Sequence, residues 1–177
     1  MNSRSLLIAL ALVGSACSSS DGKGSGGPGV GAACNTETEA FECEIVRLVN
    51  EHRAAGADCG GQQYGSAPAL AMNVQLRTAA RAHAEDMAEN NYFSHDSQDG
   101  RSPSERINAT GYEWRTWGEN IAAGSSTPAG SVSQWMNSPG HCRNIMNPSF
   151  TEIGVGYSNG PGTTYRHYWV QVFGAPR

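Results

Sequence analysis

Two stretches carry apolar residues at helical spacing. From about Ala40 to Ala55, Phe41, Ile45, Leu48, Val49 and His52 fall on one face, with a Thr36/Glu39 capping box before them and Gly56 to stop them. From about Asn73 to Asn90, Leu76, Ala79, Ala80, His83 and Met87 repeat the pattern, which makes His83 a hydrogen-bonded core histidine. Between them, Gly60 to Pro68 reads as a loop. Ser102-Pro103-Ser104-Glu105 opens a short helix that ends before Gly111, and Thr127-Pro128 opens another with Val132, Trp135 and Met136 inward. Ser138-Pro139 repeats that start signal and puts His141 in a first turn. Trp114 to Ala122 reads as a strand. Ile153, Val155 and Tyr157 alternate into a turn at 158–162, and Tyr165 to Phe173 returns with apolar groups on both faces, as a covered central strand does. Helices first and a hairpin last, without βαβ repetition, predict an α+β fold, a three-layer α-β-α sandwich.

The first residues change the picture of where the chain works. Arg4, the apolar run Leu6–Val13 and the small residues Gly14-Ser15-Ala16 form a secretory signal over 1–17. Small residues before Cys17 resemble a lipoprotein box, so Cys17 is expected to carry a lipid anchor, the only membrane attachment expected. Residues 18–34 are Ser/Gly-rich and read as a tether, leaving 35–177 as one domain. The expected location is extracytoplasmic: secreted, or lipid-anchored to a bacterial envelope. The net charge of −4 with no basic run argues against nucleic acid as a partner, and a monomer is expected. Of five cysteines, four remain beyond Cys17, which implies two disulfides with three connectivities. Cys34–Cys43, a local pair, and Cys59–Cys142 are the expected ones.

Three segments concentrate the chemistry: Asn91–His95, Gly118–Ile121 and Ser138–Met146. They bring His95, Glu119 and His141, expected to meet in one cleft. Imidazole and carboxylate there can ligate a divalent metal such as Zn²⁺, run acid/base chemistry, or hold one another's shape by hydrogen bonding. Compact metal spacing is missing: there is no HExxH and no CxxC. There is also no GxSxG elbow, and Cys142 beside His141 is better spent on a disulfide than as a nucleophile. The four tryptophans read as core and cleft wall.

In order, Asn91-Tyr92-Phe93-Ser94-His95, Gly118-Glu119-Asn120-Ile121-Ala122, Trp135-Met136-Asn137-Ser138-Pro139-Gly140-His141 with Asn144-Ile145-Met146, and Thr151-Glu152-Ile153-Gly154-Val155-Gly156-Tyr157 resemble the bacterial branch of the CAP superfamily. That superfamily joins cysteine-rich secretory proteins, antigen 5 and pathogenesis-related 1 proteins. The resemblance runs from about Phe41 to Gly174. It implies an α-β-α sandwich and a His/Glu/Glu/His cleft, with His95 as first His, Glu119 as first Glu and His141 as second His. The place of the second Glu holds Ser138, and Glu152 is the candidate to replace it. The metal set implied is His95, His141 and Glu119. Members of the superfamily bind divalent metal, sterol or lipid, so a binding module for a metal or a small or lipidic ligand is the leading expectation. A rigid scaffold without ligand and a metal-dependent hydrolase are the alternatives.

Overall fold

The computed structural model describes residues 36–177. The stretches read as a signal and a tether, and with them Cys17 and Cys34, lie outside the described residues. The Thr36 hydroxyl accepts from the Glu39 amide while the Glu39 carboxylate takes the Thr36 amide, so the first helix, α1 (Glu37–Ala55), begins three residues before the expected start. Gly56, at φ +79°, ends it. The second helix, α2 (Val74–Glu89), is capped by Asn73 through the amides of Gln75 and Leu76. The third, α3 (Pro103–Ala109), carries the Ser102/Glu105 box. Then come α4 (Pro128–Met136), capped by Thr127, and α5 (Pro139–Met146). Ser138 departs from its expected role. Its side chain makes no capping bond, and Pro139 with its fixed φ begins α5 instead.

The region read as loop holds two small strands, β1 (Ala57–Asp58) and β2 (Gln63–Tyr64), paired antiparallel. A third, β3 (Ala71–Met72), joins the main sheet. Two-residue strands are too short to leave an alternating signal, so sequence cannot show them. The main sheet adds β4 (Trp114–Ala123), β5 (Glu152–Asn159) and β6 (His167–Pro176), in the order β3-β5-β6-β4. β6 is central and buried, as expected, but it starts two residues later than predicted. Arg166, at φ +65°, breaks the extended chain before it.

Helices α1, α4 and α5 cover one face, packing Ile45, Val49, Trp135 and Ile145 against Val155, Trp169 and Phe173. Helices α2 and α3 cover the other, packing Leu76, Ala80, Met87 and Ile107 against Ile121, Tyr168 and Val170. The result is the three-layer α-β-α arrangement. The α2 layer sits close to β5 because Gly154 and Gly156 face it. A Cβ on Gly154 would lie 2.1 Å from the Arg77 amide nitrogen, and one on Gly156 2.3 Å from the Ala80 carbonyl carbon. In the opposite layer, buried Arg53 of α1 donates to the carbonyls of Pro68, Ile145, Asn147 and Phe150, so one guanidinium closes the loops at this end. Burial lowers its pKa to about 10, still charged at neutral pH.

Candidate functional site

β4 is an edge strand, and the candidate site lies across that edge, between the two helical layers. Alternation along β4 divides its motif. Glu119 and Ile121 point toward the α2 layer, while Gly118, Asn120 and Ala122 point toward α5. A side chain at Gly118 would meet Phe150 at 2.9 Å, so this position admits no Cβ without displacing that ring. Asn120 donates to the His141 carbonyl (3.1 Å) and to Gln171 (3.2 Å). Asn144 of α5 donates to the Asn120 side-chain oxygen (2.8 Å) and to the Glu119 carbonyl (3.2 Å). These amides clamp α5, and hence His141, onto β4. The Cys59–Cys142 disulfide, with Cα atoms 5.4 Å apart, moors the same turn to the end of β1, as expected from the sequence. Cys43 is disulfide-bonded too; the expected partner, Cys34, is outside the described residues.

His95 arrives from the other layer. Asn91, at φ +51°, turns the chain out of α2, and its side-chain oxygen accepts from the Thr164 amide at 2.8 Å. Tyr92 donates to Asp86; burial first, and that bond second, raise its pKa to about 12. His83, fully buried as expected, donates from Nε2 to the Ser94 carbonyl at 2.9 Å. Its Nδ1 has no partner, and burial holds its pKa below the ordinary value. The loop is thereby fixed on both sides of Phe93.

The structure brings His95 and Glu119 into direct contact: Nδ1 of His95 donates to Oε1 at 2.8 Å. The other carboxylate oxygen accepts from Arg106 of α3, also at 2.8 Å. Arg106 donates further to Ser97 (3.1 Å) and to the Arg101 carbonyl (3.0 Å). Glu119 and Arg106 are almost wholly buried, whereas half of the His95 side chain is exposed. Sequence reasoning missed Arg106. Its signal was a basic residue between Pro103 and Ile107 on the inward stripe of a short helix.

His141 stands near enough to His95 to feel its charge. Burial chiefly, and then the positive charge of His95, lower the His141 pKa, which favours a neutral imidazole. His141 and Ser138 line a cavity of ≈280 Å³ with Phe93, Trp135, Tyr165 and the Ile121–Ala123 edge of β4. Phe93 and Tyr165 pack at 5.6 Å and are both exposed at its mouth. Glu152 is not brought to the cleft. Its carboxylate accepts from Tyr112 (2.5 Å) and Asn73 (3.2 Å) at the N-terminal end of α2, so it does not replace the carboxylate that the Ser138 position lacks.

As a metal set the residues divide. His95 and His141 each offer an imidazole, and Glu119 orients His95 as a carboxylate behind a ligand does. Among the described residues no group of three His, Cys, Asp or Glu is gathered closely enough to hold a metal ion by itself. Also among the described residues, no helix is long and apolar enough to cross a membrane.

The model of the cysteine-rich secretory protein family matches residues 46–173. YkwD of Bacillus subtilis is 42% identical over 122 residues, 69% of this chain and 44% of its own length. The membrane protein YlbC of the same organism is 37% identical over 94 residues, 53% of this chain and 25% of its own. Thus the chain spans less than half the length of either relative. Among solved structures, an extracellular protein of Bacillus anthracis containing an SCP domain aligns with a TM-score of 0.62 at 29% identity, over 81% of this chain and 45% of that one. An outer surface protein of Borrelia burgdorferi aligns at 0.59 with 23% identity, over 76% and 89% of the two chains, a likeness of fold.

Proposed function

The chain belongs to the cysteine-rich secretory protein family, and from that premise we propose that it is an exported binding module. Its cleft takes a small ligand with an apolar part in the cavity and a polar head, or a head borne on a divalent cation, at His95 and His141. The observation that carries this reading is the juxtaposition of an oriented, half-exposed imidazole with a second one at the wall of a mostly apolar cavity. A divalent ion would be held by the two imidazoles in an open site, its remaining positions left to water or ligand; bound there it would supply a Lewis acid. Glu119 serves as the positioning group. With Arg106 and His95 on its two oxygens it suits orientation better than the base a hydrolase would ask of it. Export is supported by the signal-like start and by the extracellular and surface character of the structural relatives. A lipid on Cys17 belongs to the same proposal, and mass spectrometry of the mature N-terminus tests it.

The cleft is tested by calorimetric titration with Zn²⁺, Ca²⁺ and Mg²⁺ and with a fluorescent fatty acid, beside a His95→Ala, His141→Ala double variant. Saturable heat or fluorescence that the double variant loses supports the module. No binding to either chain, with a lowered melting temperature in the variant, supports a rigid scaffold instead.

A further inference from the structure

Ile121, Ala122 and Ala123 all line the same cavity. Their side chains alternate between the two faces of the sheet, so they cannot all reach it by side chain. What they share is the outer edge of β4. The register fixes which backbone groups lie there. Gly124 donates to the His167 carbonyl, and β4 pairs with β6 residue by residue above it, so Ala122 and Asn120 exchange bonds with β6. Glu119, Ile121 and Ala123 therefore turn their amides and carbonyls outward. The Glu119 carbonyl is taken by Asn144. For the outward groups of Ile121 and Ala123, no partner exists among the described residues.

We propose that this edge is a docking site for an extended peptide, which adds antiparallel to β4 beside Ala123 and Ile121 and ends in a carboxylate at His95 and His141. The inference rests on the binding-module reading and names the ligand of the same cleft. Donor and acceptor pairs at two-residue spacing match a strand, whereas an acyl chain would leave them unsatisfied. Asn144 sets where the ladder ends. Because its amide occupies the Glu119 carbonyl, the new ladder stops there, so the peptide ends or turns beside the imidazoles. The chemistry of that end suits a carboxylate. The cavity lining has no carboxylate of its own to repel one, both oxygens of Glu119 are taken by Arg106 and His95, and the His141 imidazole at the wall offers a ring N–H. Apolar side chains of the peptide would meet Phe93, Trp135 and Tyr165.

The test uses the full-length chain, immobilised and exposed to a randomised pool of pentapeptides with free C-termini. Captured peptides are resynthesised in three forms: free acid, C-terminal amide, and N-methylated at the residue opposite Ile121. Fluorescence anisotropy then compares them. The proposal expects saturable binding of the acid, weakened about tenfold or more by either change. It also expects a similar loss on Ala123→Pro, a change that removes an outward amide and is tolerated on an edge strand. Circular dichroism checks that this variant folds; if it does not, the N-methyl arm decides. No saturable capture, or equal binding of acid and N-methylated forms, overturns the proposal. If Zn²⁺ or fatty acid still binds the chain in that case, the cleft reading stands without its peptide.

Discussion

Two buried carboxylates, one from a helix and one from the edge strand, make an instructive pair. Glu42 of α1 is fully buried and receives Arg77 and Arg81 of α2, with Glu39 close by. It ties one helical layer to the other. Glu119 is nearly as buried but receives only one guanidinium, from Arg106; its other oxygen holds the half-exposed His95. The first cluster turns its groups on one another. The second leaves an imidazole, aimed by a buried charge, for something from outside. Buried charge is thus spent on cohesion in one place and on presentation in the other.

The largest expected effect breaks the first cluster. Glu42→Ala leaves Arg77 and Arg81 only the more distant Glu39 carboxylate, at 3.7 and 3.8 Å, and should lower unfolding free energy by about 3–5 kcal/mol in denaturant titration, with ligand binding unchanged in the remaining folded protein. Glu119→Gln should show the opposite balance. Stability falls less, by about 2–3 kcal/mol, because buried Arg106 loses its counter-charge but keeps an oxygen acceptor, while divalent-ion or ligand affinity at His95 falls about 10–100-fold by calorimetry. Next comes pH. His83, His141 and His167 all have lowered pKa values, mainly from burial. Between the folded pKa and the ordinary 6.5, the unfolded chain binds more protons, so stability is full above that value and declines as pH falls below it. His83→Gln should flatten that decline. In the same titration followed by NMR, His95→Gln should move the His141 pKa upward, since one of its two depressing causes is gone. The smallest effect is expected at the mouth. Phe93→Ala, exposed in the folded chain, should leave the melting temperature within about 1 °C and weaken ligand binding a few-fold.

What the sequence disclosed follows the range of each interaction. Thr36 with Glu39, and Ser102 with Glu105, were legible because a capping box closes over three residues. The three-layer fold and central β6 followed from periodicity. His95 and Glu119 could be linked through their motifs, but Arg106 could not be assigned to Glu119, because that pairing depends on where α3 docks. Glu152 misled for a similar reason. Proximity to the other motifs said nothing of Tyr112 and Asn73, which claim its carboxylate from distant segments. Tyr165 and Arg166 alternated as strand residues do, yet the left-handed backbone at Arg166 places them in the connection, where Tyr165 reaches Phe93.

The bare stretches of β5 have a consequence at a distance. Helix α2 lies on Gly154 and Gly156 with no room for a methyl group, and its far end carries Asn91 and the turn to His95. An alanine at either glycine would lift the rod where it rests on the sheet and swing its tip. The aim of an imidazole is therefore set, in part, by two hydrogen atoms on a strand two places away from β4.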